Sequence, residues 1–325
     1  MAAAAVTRKR PAPDDDTCSA AAGKKRSRYQ FGAIYDYQKL EVLGDSTYGV
    51  VVKARHRRTG ETVAVKWIRG GVGVGGAPDL RAVVREAGCL AACRGHPSIV
   101  QIRDVAADEA TGDLFLVMEF VGPSLRSRLT RPFSEAATQA FMRQLLRGAE
   151  RIHGTGTIHR DIKTENVLVG PSGALKICDF GMATPVRPPY EEQCVGTLWY
   201  RSPEQLMGSR CYGPAVDMWA LGCVMAELLA GEPLFVEVDT EEDMLMEVFH
   251  LRHEIESVGV QACKGLPELS QAGGEVLCGL LCFDEDERLT AADALRHRWF
   301  TEGAESPAVA ETEHPGSTAA SSSSS

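Results

Sequence analysis

The chain has 325 residues, 44% hydrophobic and 24% charged, with a formal net charge of −9 at pH 7. That length allows about two units of the usual ~100–200 residues, and the acidic balance argues against nucleic-acid binding. No apolar run reaches the roughly 20 residues that cross a bilayer. The Ala2 to Val6 stretch is too short for a secretion signal, and basic residues follow it rather than precede it, so no membrane association is expected.

The first 30 or so residues are Ala-rich, Pro-interrupted and without apolar periodicity, a composition that does not fold. We assign residues 1–36 to a disordered basic tail; residues 1–28 hold seven Lys/Arg against three Asp, a net of +4. Arg8-Lys9-Arg10 and Lys24-Lys25-Arg26 form two clusters across a spacer, a pattern that favours the nucleus over the cytoplasm, although a merely solubilising tail would look the same.

Strand patterns follow. Lys39-Leu40-Glu41-Val42 alternates, Val50-Val51-Val52 is β-branched, and Thr62 to Ile68 is strand-like. Between the first two lies Leu43-Gly44-Asp45-Ser46-Thr47-Tyr48-Gly49-Val50-Val51. A glycine-rich hairpin there can lay backbone N–H groups over phosphates, because glycine permits close approach. In Val63-Ala64-Val65-Lys66, alternation puts Ala64 and Lys66 on one face, one to touch adenine and the other the phosphates. Gly71, Gly73 and Gly76 fit the dinucleotide spacing G-x-G-x-x-G. No helix opens inside that run, however, and Gly70, Gly75 and Ala77 make it a loose linker.

After Pro78-Asp79 the period becomes helical, with Leu80, Val83, Val84, Ala87 and Leu90 on one stripe and Glu86 placed to hold Lys66 forward. Ile99 to Val105 and Leu114 to Met118 return to strand. From Ser134, a candidate N-cap with Glu135 in the first turn, helices dominate, and Phe141, Leu145, Ala149 and Ile152 line one face. The expected fold class is α+β and bilobal: a β-rich half with one helix over about 37–120 and a larger helical half over about 121–300. Residues 301–325, with four Glu and no Lys or Arg, form a second disordered tail.

The chemistry is concentrated in His159-Arg160-Asp161-Ile162-Lys163-Thr164-Glu165-Asn166, followed by Asp179-Phe180-Gly181. These residue types at this spacing suit phosphoryl transfer from ATP. Asp161 would accept the proton of an incoming hydroxyl, Lys163 would neutralise charge on the transferred group, and Asn166 and Asp179 would hold Mg2+. A solvated polar loop followed by a turn is the alternative for the first segment alone. The ten cysteines complete no zinc set with histidine; Cys89/Cys93 and Cys278/Cys282 read as reduced thiols. Cys178 is either a reactive thiol at the nucleotide site or a small buried apolar residue.

With these pieces in order, the chain from about Tyr37 to Phe300 resembles a eukaryotic protein kinase. Lys163 and Thr197 are similar to the serine/threonine branch. Ser202-Pro203-Glu204 resembles the element that closes the activation segment, with Arg288 implied as the partner of Glu204. Asp217-Met218-Trp219-Ala220-Leu221-Gly222 resembles the buried helix that anchors the catalytic loop. Thr197-Leu198-Trp199-Tyr200-Arg201 and Gly231-Glu232-Pro233-Leu234-Phe235 narrow the resemblance to cyclin-dependent kinases. Its glycine- and alanine-rich style is similar to plant F-type relatives.

The resemblance implies protein substrates with a Ser or Thr followed by Pro, accompanied by Arg201. It also implies inhibitory phosphate sites at Thr47 and Tyr48, and an adenine-contacting hinge at Met118, Glu119, Phe120 and Val121. The departures lie in regulation. The cyclin-gripping motif is reduced to its end in Pro78 to Glu86, so dependence on a cyclin or other activating subunit is left open. Ser46 replaces the middle glycine of the loop. The activating phosphothreonine position is Glu192, whose carboxylate could engage Arg85 and Arg160, and the third basic position is Thr184. The stretch from Phe235 to Asp284 is too short for the usual helical insert. A kinase-shaped binding module, a pseudokinase, is the alternative to an active enzyme.

Overall fold

The computed structural model describes residues 31–46, 49–68, 79–192, 194–259 and 265–301. Thr47, Tyr48, the glycine linker with Gly71, Gly73 and Gly76, and most of both tails lie outside them, as do the side chains of Asp45 and Ser46.

Strand β1 (Gly32–Ala33) is followed by β2 (Tyr37–Ser46), β3 (Gly49–His56) and β4 (Thr62–Ile68). Helix α1 (Leu80–Ala92) then leads to β5 (Ile102–Ala107) and β6 (Leu114–Glu119). The six strands form one sheet in the order β1-β5-β6-β4-β3-β2. Its register sets Val51 opposite Lys66 and Ala64 opposite Met118, so the side chains of one face converge on one place. The other face packs Ala54, Val63, Val65, Ala106 and Val117 into a small cluster of its own.

Two expectations are corrected in this half. Residues 32–36, assigned to the tail, belong to the fold: Gly32 and Ala33 pair with Ala106 and Ala107, and the Tyr35 hydroxyl donates to Asp108 at 2.6 Å. The stripe of α1 is also rotated. Asp79 caps the helix by accepting from the N–H groups of Arg81 and Ala82, and the buried face carries Val83, Glu86, Cys89 and Leu90. Leu80 and Val84 stand 55% and 67% exposed. The helix turns its one buried carboxylate toward a lysine, and that ion pair rather than maximal apolar burial sets its rotation.

Past residue 120 helices dominate, so the fold is α+β as expected: α2 (Leu125–Arg128), α3 (Glu135–Gly154), α4 (Pro203–Leu206), α5 (Ala215–Ala230), α6 (Glu241–Val258), α7 (Gln271–Leu280), α8 (Ala291–Arg296) and α9 (Arg298–Thr301). The Ser134 hydroxyl accepts from Ala137 N at 3.3 Å to start α3, which buries Met142, Leu145, Leu146, Ala149 and Ile152. Every residue of α5 from Val216 to Leu229 is buried, as expected of a helix at the centre of a core. Short strands β7 (Thr157–Ile158), β8 (Val167–Val169), β9 (Leu175–Ile177) and β10 (Thr184–Pro185) carry the loops between the two halves. Among the described residues no helix is long and apolar enough to cross a membrane.

Candidate active site

Asp217, in the first turn of α5 and 1% exposed, fixes the catalytic loop from below. Its carboxylate accepts from His159 N at 2.9 Å and Arg160 N at 2.8 Å, and His153 Nε2 lies 2.8 Å away. Burial alone would raise its pKa. The bonds and charge of His153, His159 and the backbone outweigh that and hold it below the usual carboxylate range. These bonds also hold Arg160 in a left-handed conformation, φ 67°, which a non-glycine residue adopts only under such constraint.

The next residues converge. Asn166 Nδ2 donates to the carbonyl and carboxylate of Asp161, each at 2.9 Å. The Thr197 hydroxyl donates to Asp161 Oδ1 at 2.8 Å and accepts from Lys163 Nζ at 2.6 Å. The loop comes this close because of Gly196. Its φ is +87°, and a Cβ there would stand 2.3 Å from the Arg160 carbonyl oxygen.

Lys66 bridges two carboxylates, Glu86 at 2.8 Å and Asp179 at 2.7 Å. Burial acts to lower the lysine's pKa, but Glu86 and Asp179 prevail and shift it upward, so it stays charged. Burial likewise acts to raise Asp179, and Lys66 overrides it, leaving the carboxyl ionised. Backbone ties the two loops together, since Cys178 N donates to Asn166 O at 2.9 Å.

A cavity of about 390 Å³ opens over these groups, lined by Leu43, Gly44, Gly49, Val51, Ala64, Lys66, Met118, Glu119, Phe120, Val121, Asn166, Cys178 and Asp179. Two of the described ATP-binding candidates do not line it: Glu86 reaches the site through Lys66, and strand alternation turns Val50 to the opposite face, where it lines a separate cavity with Val52, Val65 and Trp67. The Glu119 carboxylate accepts from Gln101 N and pairs with Lys176, and its backbone N–H donates to the Gln101 carbonyl, so neither is turned to a base. Burial, then the Asp179 charge, pushes the Cys178 thiol upward, and it remains protonated on the cavity wall. Val100 and Leu168 also line the cavity. They carry no sequence signal beyond being apolar.

The donor set suits a hard cation. Asn166 turns its N–H groups to Asp161, leaving its side-chain carbonyl oxygen for a metal, and Asp179 has a carboxylate oxygen besides the one on Lys66. One carboxylate and one amide oxygen are what Mg2+ takes from a protein when phosphates and water complete its octahedron. Among the described residues no three His, Cys, Asp or Glu side chains gather around a common point.

Outside the cavity, Glu192 receives Arg85 Nη1 at 2.9 Å and Arg160 Nη1 at 3.1 Å. Thr184 is buried nearby and brings no charge. Sequence reasoning missed Tyr190, whose ring lies 5.5 Å from the Arg160 guanidinium and 4.6 Å from the ring of Tyr212. It also missed Glu227, fully buried, which accepts from Thr164 Oγ1 at 2.9 Å and Tyr200 OH at 2.7 Å. Arg201 donates to the carbonyls of Gly196 and Cys194, both at 2.9 Å, and pairs with Glu241. Arg288 makes a two-pronged pair with Glu204 at 2.8 and 3.0 Å.

Residues 37–300 match the protein kinase domain family. The cyclin-dependent kinase F-2 of Oryza sativa subsp. japonica is 45% identical over 306 residues, 82% of this chain and 90% of its own. Cyclin-dependent kinase G-2 of Oryza sativa subsp. indica is 36% identical over 83% of this chain but 42% of its own length. Cyclin-dependent kinase G1 of Arabidopsis thaliana is 36% identical over 89% of this chain and 52% of its own. The chain thus spans most of the F-type relative and about half of the G-type ones. On the family match and the identity to the F-type relative, the chain belongs to the protein kinases, as an ATP-using serine/threonine kinase of the cyclin-dependent kinase group that acts on proteins.

Proposed function

We propose that Asp161 orients the substrate hydroxyl and takes its proton, and that Lys163 stands against the phosphoryl group in flight. Lys66, braced by Glu86, holds the ATP phosphates, and Asn166 and Asp179 hold Mg2+. When bound, the metal would offset the charge of the phosphates. The observation that carries this reading is Lys66 bonded to Glu86 and Asp179 at once. Nothing in the site favours a pseudokinase, since Lys66, Glu86, Asp161, Lys163, Asn166 and Asp179 are all present and in mutual reach.

The preferred target is a Ser or Thr followed by Pro. The Gly196 carbonyl is held by Arg201, so it is not offered to the N–H of the residue after the target. Proline has no such N–H and loses nothing. Glu192 supplies a standing charge to Arg85 and Arg160 and replaces an activating phosphate in part. Glu86 reaches Lys66 in the chain alone, which supports activity without a cyclin. The basic N-terminal clusters direct the chain to the nucleus, which deletion of residues 1–28 fused to a fluorescent reporter would test.

The deciding assay is transfer of labelled phosphate from ATP to a Ser-Pro peptide, with Ser-Ala as control, for wild type and Asp161→Asn, each with and without an added cyclin. Transfer by wild type alone, abolished in the variant, supports the reading. Equal background signals in every arm overturn it.

A further inference from the structure

Helix α3 carries Gln139, Arg143, Arg147 and Arg151 at four-residue spacing, so they follow one side of the helix with a slow drift. The first two receive the end of the described chain. Gln139 Nε2 donates to the Trp299 carbonyl. Arg143 Nη2 donates to the Phe300 carbonyl at 2.6 Å, with its guanidinium 5.5 Å from the Phe300 ring. Consecutive carbonyls therefore step one turn along α3, toward its C-terminal end.

The next rungs have no carboxylate. Arg147 is exposed and makes no hydrogen bond or ion pair among the described residues. Arg151 gives one N–H, at 2.6 Å, to the carbonyl of Ala92, the last residue of α1, which also carries Glu86. Arg94 adds an exposed charge at the same end. Nearby His96 reports the local field: burial first, then Arg151 and Arg147, hold its pKa below the ordinary value, with Glu150 the one acid opposing them. The body is otherwise acidic. The chain that continues from Thr301 holds Glu302, Glu305, Glu311 and Glu313 and no Lys or Arg.

We propose that the segment from Glu302 onward docks on this arginine stripe in the same molecule, Glu302 and Glu305 meeting Arg147 and Arg151. The reach suffices: Arg143 to Arg151 spans about 12 Å of helix, and the five residues from Phe300 to Glu305 extend up to roughly 17 Å. The direction is already set by the two carbonyls on Gln139 and Arg143. Exposed ion pairs are individually weak and screened by salt, so the dock is reversible. Because Arg151 also holds Ala92, the docked segment braces the end of the helix that seats Glu86.

The test uses the full chain carrying Arg147→Lys, treated with a zero-length carbodiimide at low salt and mapped by mass spectrometry in a mixture of light and isotopically heavy protein. A link from position 147 to Glu302 or Glu305 within one molecule, lost at high salt, is expected. Links only to Glu150, only between light and heavy copies, or none, in protein that melts like wild type, overturn the proposal; the heavy–light result would assign the stripe to a second copy. Independently, Arg147→Glu with Arg151→Glu should speed proteolysis of the C-terminal segment about fivefold, the size two exposed pairs give. Adding Glu302→Arg and Glu305→Arg should restore the slow rate. A rate indifferent to both reversals counts against the dock.

Discussion

The catalytic cluster and the activation-segment contact differ in how they hold their charges. The Lys66 and Glu86 side chains are 3% and 4% exposed, and Asp161 is tied by Asn166, Thr197 and Lys163. Glu192 is 45% exposed and, among the described residues, rests on two arginines. A buried charge stripped of its partner is left without water, whereas an exposed one is rescued by solvent. The chemistry is therefore rigidly specified, and the part that orders the activation segment is adjustable.

The largest expected effect is at the first region. Asp161→Asn should lower kcat by about 10²- to 10⁴-fold, the usual worth of a positioned base, with a far smaller effect on folding: the amide oxygen still accepts from Thr197, although its NH2 replaces the oxygen that faces Asn166 and Lys163. Single-turnover transfer to a Ser-Pro peptide measures it. Lys66→Met should cost about 10²- to 10³-fold, as for one lost electrostatic contact to the transition state. It should also raise the Asp179 pKa, since Lys66 is what now holds that carboxyl down against burial. In the metal-free protein that carboxyl should titrate at higher pH than in wild type, as NMR would report. An unmoved titration would show that Lys66 does not govern Asp179.

Breaking Arg288–Glu204 separates folding from chemistry. Both residues are buried, 4% and 5% exposed, and Arg288→Ala should lower stability by about 3–5 kcal/mol, the loss typical of orphaning one buried partner. Denaturant titration checks it. Replacing both residues by apolar ones of similar volume should recover most of the loss, and failure to recover would show that the pair has a role beyond compensating its own burial.

How much of this was legible in the sequence follows the same division. That Asp161, Asn166 and Asp179 would gather was legible because those residue types stand at short spacing, and Thr62 to Ile68, with Lys66, because alternation is a local signal. Leu80 and Val84 misled, since apolar periodicity marks a stripe but not which neighbour it faces; the Glu86 ion pair decided that. Val50 was assigned with its segment, although a strand must send alternate residues to opposite faces. Tyr190, Thr164 and Glu227 were silent because their partners lie far along the chain: Thr164 and Glu227 are 63 residues apart. Residues 32–36 were lost to the tail because a two-residue strand has no periodicity to show.

The smallest effect is the most discriminating. Glu192→Gln should reduce activity only a few-fold, since exposed pairs contribute little each. Its pH dependence has a definite sign. Burial acts to raise the Glu192 pKa, and Arg160 and then Arg85 pull it below the ordinary 4.5. A carboxyl lowered on folding contributes fully above its unfolded value and loses that contribution as pH falls through its folded one. The ratio of wild-type to Glu192→Gln activity should thus be flat from pH 5.5 to 8, with the stability difference fading only below about pH 4.5. A phosphate in the same place would add charge through its second ionisation near pH 6. A ratio that climbs between pH 5.5 and 7 would mean that phosphorylation elsewhere, not this carboxylate, orders the segment; a flat ratio above one assigns the ordering to Glu192 itself.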